Sequence, residues 1–88
     1  MKIIKIGAVW CMQCLAMRPV WEKIEEEIEG LETEYFDIDE KPEIKEKYGL
    51  KDIPIFIFLD KDGNEILRLE GLQNKEDLIR IIRDYWGQ

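Results

Sequence analysis

The most restrictive feature of this chain is an apolar run at residues 53–59, IPIFIFL. Its apolar side chains occupy both alternating positions of a strand, so both faces of that strand have to be covered by other elements. Such a strand lies in the centre of a sheet that has helices on both sides. The turn signal DKDG follows at residues 60–63, and residues 64–70 are predicted to pair back as a hairpin.

Hydrophobic periodicity and turn residues predict the remaining elements of a single domain over residues 1–88. The predicted elements are strand 2–8, a helix from Met12 to Gly30 with Pro19 inside it, strand 32–38, a short helix between Pro42 and Gly49, strands 53–59 and 64–70, and a last helix capped by Asn74. Trp21 is expected in the core, and Trp86 is expected to pack against the last helix. The order β-α-β-α-β-β-α, with a parallel first βαβ unit, predicts an α/β fold: a four-stranded mixed sheet flanked by three helices.

The chain carries 20 acidic and 13 basic residues, a formal net charge of −7, and it has no histidine. The sequence has no stripe of basic residues of the kind that binds nucleic acids, and its negative net charge disfavours binding to anionic membranes. No stretch has transmembrane length, and the N-terminal MKIIKI has no secretory pattern. We therefore expect a cytoplasmic monomer in a reducing compartment, where a Cys-x-x-Cys motif more often serves redox or metal chemistry than a permanent disulfide.

Both cysteines of the chain lie three residues apart, as Cys11-Met12-Gln13-Cys14. A structural disulfide here would close a four-residue loop and remove little entropy from the unfolded chain, on the order of 2 kcal/mol. Structural zinc needs four cysteine or histidine ligands. This chain could complete such a shell only in a symmetric dimer or with recruited carboxylates, so neither interpretation explains the pair well.

A reactive dithiol has direct support from the position of the pair. Cys11 falls where the first strand ends and the first helix begins, so its sulfur is expected to face free backbone N–H groups and the positive end of the helix dipole. Both favour the thiolate, which is the form that attacks disulfides. Cys14 lies one turn later on the same face, and we expect it to be more covered than Cys11. In this hypothesis, one thiol attacks a disulfide and the second resolves the mixed disulfide that forms.

The segment around the cysteines resembles the active site of the thioredoxin family, because Trp10-Cys11-x-x-Cys14 is followed five residues later by Pro19. The similarity covers essentially the whole chain and continues through Asp39-Glu40-Lys41-Pro42, the segment from Tyr48 to Pro54, Lys61-Asp62-Gly63 and Glu70-Gly71-Leu72.

The resemblance implies a role for each matching residue. Cys11 would be the nucleophile and Cys14 the resolving thiol. The peptide bond before Pro54 would be cis, and the Ile53 backbone would pair with an extended substrate strand. The same substrate groove would be lined by Trp10, Gly71 and Leu72. No bound cofactor and no metal would be needed.

Three features depart from the thioredoxin pattern. The chain begins without the strand and helix that precede the motif in full-length thioredoxins. The middle dipeptide Met12-Gln13, which helps to set the redox potential, matches neither thioredoxins nor glutaredoxins. Lys5 occupies the position of a buried aspartate that accepts a proton in thioredoxins, and Tyr35 replaces the lysine that partners it. A charged Lys5 near the pair would stabilise thiolate and make the protein more oxidising, whereas a Lys5 extended to water would not.

The leading hypothesis is therefore a thiol-disulfide oxidoreductase that exchanges electrons with disulfide-containing proteins. Electrons would return to the dithiol from a flavin-dependent reductase or from a low-molecular-weight thiol. The alternative is a thioredoxin-fold binding module whose cysteines sense redox state or hold a bridging metal in a dimer, without turnover.

Overall fold

The computed structural model of the protein describes residues 1–87. Seven elements follow one another in this part of the chain: β1 Lys2–Gly7, α1 Met12–Glu27, β2 Glu32–Asp37, α2 Glu43–Tyr48, β3 Ile55–Leu59, β4 Glu65–Glu70 and α3 Lys75–Asp84. The strands form a sheet in the order β2-β1-β3-β4. β1 and β2 are parallel, and both pairs that include β3 are antiparallel. The predicted α/β architecture is confirmed.

β3 is the doubly covered strand that the apolar run predicts. Its residues Ile55, Phe56, Ile57 and Phe58 are each at most 2% exposed, because a core cluster covers each face of the sheet. The cluster on the α2 side has as buried members Ile4, Ile6, Ala8, Cys11, Cys14, Ile38, Ile44, Ile55 and Ile57. The cluster under α1 and α3 contains Ile3, Met17, Trp21, Ile24, Phe56, Phe58, Leu78 and Ile82. Trp21 is thus a core residue, as predicted.

The first helix ends earlier than its sequence pattern predicts. α1 stops at Glu27, and the next residue, Ile28, is already extended, with φ −112° and ψ 99°. Gly30, which we expected to end the helix, instead lies in the turn before β2 with φ 81°. Ile28 and Leu31 pack against the core cluster under α1. Several glutamates crowd the last turns, where the helix dipole disfavours negative charge, so a longer helix would gain little there.

The other two helices begin where the sequence predicts. α2 follows Pro42 and ends at Gly49 in the left-handed conformation. At the cap of α3, Asn74 Oδ1 accepts a hydrogen bond from the Asp77 N–H at 2.8 Å. α3 ends before Trp86, which is 50% exposed. Within residues 1–87, the helices lack the length and apolar character that crossing a membrane requires.

Candidate functional site

The cysteine pair lies at the junction of β1 and α1, as its position in the sequence predicts. Cys11 is the N-cap residue of α1 and has an extended backbone, with φ −88° and ψ 111°. Its Sγ accepts a hydrogen bond from the Cys14 N–H at 3.2 Å. The Cys11 carbonyl accepts the first helical hydrogen bond, from the Leu15 N–H at 3.1 Å. The sulfur therefore replaces the oxygen of an ordinary N-cap side chain and faces the positive end of the helix dipole.

Cys11 and Cys14 are joined in a disulfide, with their Cα atoms 5.2 Å apart. The expected difference in cover between the two residues is not present in this oxidised form, because Cys11 is 7% exposed and Cys14 is 8% exposed. The disulfide holds the two sulfurs next to each other at the N-terminus of α1, so both residues are covered to a similar extent. What distinguishes them is their surroundings: Cys11 borders one pocket of the surface and Cys14 borders another.

The pocket beside Cys11, which we call the front groove, brings together three of the predicted site residues. Trp10, Cys11 and Ile53 line it, together with Lys45 and Lys51. Trp10 is 63% exposed, so its indole offers an apolar surface next to the sulfur. Ile53 lies ahead of β3, outside the hydrogen-bonded ladder. Its backbone is therefore in place for a contact of the kind that an extended peptide makes.

The other predicted groove residues are connected through Pro54. The peptide bond between Ile53 and Pro54 is cis, as predicted. Gly71 has φ 81°, a conformation that favours glycine, and its N–H donates to the Pro54 carbonyl at 2.8 Å. Leu72 follows Gly71 and is 57% exposed. The two loops that precede β3 and follow β4 are thus tied together. Pro54, Gly71 and Leu72 do not line the front groove, and Pro54 instead borders the pocket that contains Cys14.

Asp39 is a site residue that the sequence analysis did not single out. The Trp10 indole Nε1 donates a hydrogen bond to Asp39 Oδ2 at 2.7 Å. Asp39 is held in turn by its own N–H, which donates to Asp37 Oδ1 at 2.7 Å. β1 and β2 are parallel neighbours, so residues just after their C-terminal ends meet at one edge of the sheet. That topology is the signal that could have identified Asp39 as the partner of Trp10.

The pocket beside Cys14, which we call the rear pocket, has a volume of about 300 Å³ and includes Lys5, Gly7, Cys14, Glu25 and Tyr35 in its lining. The Lys5 side chain is only 16% exposed, and its Nζ lies 3.0 Å from Glu25 Oε2. The same ammonium lies 5.7 Å from the centre of the Trp21 ring. Lys5 is therefore neither an isolated charge beneath the dithiol nor a side chain extended to water, because Glu25 offsets its charge.

Tyr35 is the register partner of Lys5 across the β1–β2 pair. Its hydroxyl and the Cys14 sulfur approach the same point: a Cβ built on Gly7 would lie 2.9 Å from Cys14 Sγ and 3.4 Å from the Tyr35 hydroxyl. Tyr35 is 44% exposed as a whole, and partial burial of its phenol, followed by the charge of Asp37, raises the pKa of Tyr35 above its ordinary value. The hydroxyl is thus kept in its neutral, hydrogen-bond-donating form at neutral pH.

The middle residues of the motif line neither pocket. Met12 is 78% exposed, and Gln13 is also exposed, in the first turn of α1. Within residues 1–87, no three His, Cys, Asp or Glu side chains are grouped so that they could hold a metal ion.

Comparison with known proteins gives the same family by sequence and by structure. The thioredoxin family model matches residues 1–84. Thioredoxin from Chlamydia caviae is 39% identical over 83 residues, which is 94% of this chain and 80% of the relative. Thioredoxin from Listeria monocytogenes is 37% identical over 79 residues, 89% of this chain and 76% of the relative.

Solved structures of thioredoxins share this fold. A mutant thioredoxin of Halobacterium salinarum superposes with a TM-score of 0.84 at 27% identity, over 96% of this chain and 73% of that one. Oxidised mitochondrial thioredoxin 3 of Saccharomyces cerevisiae superposes with a TM-score of 0.82 at 29% identity, over 94% of this chain and 76% of that one. A third structure superposes with a TM-score of 0.83 at 28% identity, over 94% of this chain and 76% of that one. It concerns thiol resolution in a yeast mitochondrial 1-Cys peroxiredoxin through the glutathione and thioredoxin systems.

Proposed function

The chain belongs to the thioredoxin family and is a thiol-disulfide oxidoreductase, and we propose that it works in the cytoplasm as a reductant of disulfides in other proteins, contributing to cell redox homeostasis. The observation that carries this proposal is the Cys11 sulfur, which caps the N-terminus of α1 beside an exposed apolar groove. The thioredoxin relatives do not favour the alternative of a sensing or metal-bridging module without turnover.

We propose that the substrate docks as an extended segment across the front groove. Its backbone would pair with Ile53, next to Pro54, and its flanking side chains would rest on Trp10 and Leu72. The hydrogen bond from Trp10 to Asp39 supports this arrangement, because it orients the indole while leaving most of the ring surface free. Docking of this kind recognises backbone more than side chains, so it suits a protein that acts on many disulfides.

In the proposed reaction, the Cys11 thiolate attacks one sulfur of the substrate disulfide. A mixed disulfide forms between Cys11 and the substrate, and the other substrate sulfur leaves as a thiolate that takes a proton from water. The Cys14 thiolate then attacks Cys11 Sγ. The mixed disulfide breaks, the second substrate thiol is released, and the protein is left with the Cys11–Cys14 disulfide, so two electrons have passed to the substrate.

The oxidised protein has to be reduced again by an external donor. A flavin-dependent reductase and a low-molecular-weight thiol such as glutathione both supply the two electrons required. The similarity to a yeast structure that concerns the glutathione and thioredoxin systems supports testing both donors. Reduction begins with attack on the same disulfide, so the donor also has to reach it from the front groove.

Turnover is tested by insulin reduction in the presence of dithiothreitol. Catalytic amounts of the protein should accelerate precipitation of the insulin B chain, whereas Cys11→Ser should not. Ala16→Ser is a matched control, since it places a serine at an exposed position of the same helix and leaves the dithiol intact. Failure of the reduced wild-type protein to accelerate the reaction would refute the proposed function.

The direction of electron flow is tested by the redox equilibrium of the Cys11–Cys14 pair with glutathione. A reduction potential near or below about −270 mV is that of a thioredoxin-like reductant. A potential near about −200 mV would instead indicate a glutaredoxin-like or more oxidising role, and it would contradict the proposed direction even if insulin turnover were observed.

A further inference from the structure

The rear pocket contains a hydroxyl group to which the proposed reaction assigns no role. Tyr35 lies on β2, beside β1, and its hydroxyl is 3.4 Å from the Cβ position of Gly7. Cys14 Sγ lies 2.9 Å from the same position. The hydroxyl oxygen and Cys14 Sγ are therefore no further apart than the sum of these two distances, a separation that two hydrogen bonds through one water molecule can span.

Gly7 allows Cys14 to pack this close to β1, on the side where Tyr35 lies. Any larger residue at this position would place its Cβ against the Cys14 side chain, 2.9 Å from Sγ and 3.1 Å from Cβ. Real Cβ atoms do not approach a sulfur so closely without displacement of one of the groups. With glycine, the sulfur of Cys14 and the hydroxyl of Tyr35 face each other through the rear pocket, which is open to solvent and carries both residues in its lining.

The charged groups around the Tyr35 hydroxyl come from both strands and from the helix above them. They are Lys5 on β1, Arg18, Glu22 and Glu25 on α1, Asp37 on β2 and Glu40 after β2. Lys5 and Glu25 are paired with each other at 3.0 Å. Burial and Asp37 raise the pKa of Tyr35, and Arg18 opposes them only in part. The phenol therefore keeps its proton and can serve as a donor to an anion.

We propose that the Tyr35 hydroxyl, which shares the rear pocket with Cys14, donates a hydrogen bond to one bridging water, and that this water donates to the Cys14 thiolate as the thiolate attacks the mixed disulfide. The proposal rests on the reaction proposed above, in which Cys14 is the resolving thiol. Tyr35 is thus a residue specific to the second step, in which an anion forms on Cys14.

The step balances without any further reactant. The Cys14 thiol releases its proton to solvent water in the rear pocket, and Tyr35 keeps its own. The thiolate that remains accepts the hydrogen bond, attacks Cys11 Sγ and forms the Cys11–Cys14 bond. The bond between Cys11 and the substrate breaks, and the departing substrate thiolate takes up a proton from water. Hydrogen bonds to the charged form of an acid favour that form, so the tyrosine raises the population of attacking thiolate.

The first test measures Cys14 alone, in the Cys11→Ser background. The thiolate is followed by its ultraviolet absorbance as pH is raised. Tyr35→Phe removes only the hydroxyl and should lower the thiolate fraction of Cys14 at a given pH about fivefold, the effect of losing one hydrogen bond between a neutral donor and the bridging water. Tyr85→Phe, at the C-terminal end of α3, is the matched control and should leave the titration unchanged.

The second test separates the two chemical steps in the protein with both cysteines. Reduced protein in slight excess over Ellman's reagent releases one thionitrobenzoate on attack by Cys11 and a second on resolution by Cys14. Tyr35→Phe should leave the first phase unchanged and slow the second by about two- to threefold at pH 7. That factor combines a roughly fivefold lower thiolate fraction with a more nucleophilic thiolate, whose Brønsted coefficient is about 0.4–0.5.

These measurements do not depend on any protein substrate. A protein that fails in the insulin assay can still show the effect of Tyr35, and a protein that reduces insulin can fail to show it. An unchanged Cys14 titration and an unchanged second phase in Tyr35→Phe would overturn the proposal. A slowing of both phases by the same factor would also overturn it, because a general structural change, and not an interaction with Cys14, would then be responsible.

Discussion

The front groove and the rear pocket lie on either side of one disulfide, yet they are built differently. The front groove presents exposed apolar surface, with Trp10 beside Cys11 and the Ile53 backbone outside the sheet ladder. The rear pocket beside Cys14 is lined by a paired lysine, a neutral phenol and a glycine that leaves space. The front is suited to binding another protein, and the rear to stabilising a charge that forms during the reaction.

This difference shows which parts of the site are free to vary. Recognition and attack need a sulfur at a helix N-terminus and an accessible backbone edge, and the Trp-Cys-x-x-Cys and Ile-Pro segments supply both. Resolution needs only some group that favours the thiolate of Cys14. Lys5, paired with Glu25, is poorly suited to supply it alone, which leaves the hydroxyl of Tyr35 as the nearest neutral donor across Gly7.

The largest expected effect comes from removing one sulfur at a time. Cys14→Ser should accumulate mixed disulfides with substrate proteins, because Cys11 still attacks and nothing resolves the product. Cys11→Ser should trap none. In the reduced wild-type protein, Cys11 should be the only thiol that iodoacetamide alkylates rapidly, which mass spectrometry of the peptides can establish. Trapping by Cys11→Ser and not by Cys14→Ser would reverse the roles of the front and rear sulfurs.

A smaller effect is expected from filling the gap in the rear pocket. Gly7→Ala should lower the free energy of unfolding by about 1–3 kcal/mol, the usual cost of overpacking, because the new Cβ meets Cys14 Sγ at 2.9 Å. Chemical denaturation of the reduced proteins measures this change. In the Cys14→Ala background the sulfur is gone, so the same substitution should cost less. An equal cost in both backgrounds would mean that contact with the sulfur is not its source.

The fold could be predicted from the sequence because strong, long-range patterns specify it. The run at residues 53–59 demands cover on both faces, and the caps at Asn74 and Gly49 act within one turn of the chain. The errors fall where local and tertiary preferences compete. Ile28 leaves the helix to pack on the core, so α1 ends before the glycine that was expected to end it.

The residues of the site likewise fall into two groups, those that a local motif predicts and those that only the tertiary structure brings together. The cysteines, the cis Ile53-Pro54 bond and the exposed Trp10 follow from short motifs whose geometry is local. The partners that the sequence did not reveal are contacts between elements. Asp39 meets Trp10 only because β1 and β2 are parallel neighbours, and Glu25 meets Lys5 only because α1 crosses β1 at a particular register. No local pattern of residues encodes either distance.

The smallest expected effect comes from the charges of the rear pocket. A cation near the dithiol favours thiolate and an anion disfavours it, so Lys5→Met and, more strongly, Lys5→Asp should raise the pKa of the Cys11 thiol and make the reduction potential more negative. Because Glu25 lies 3.0 Å from Lys5 and offsets its charge, we expect Lys5→Met to change the reduction potential by less than about 30 mV, which corresponds to a tenfold change in the redox equilibrium.

Glu25→Gln should act in the opposite direction, since it leaves the Lys5 ammonium without its counter-charge. The double variant Lys5→Met/Glu25→Gln should then lie close to wild type. The pH dependence of iodoacetamide alkylation and the glutathione equilibrium measure both quantities. Changes of the same sign in Lys5→Met and Glu25→Gln would show that these residues affect the dithiol through packing and not through charge.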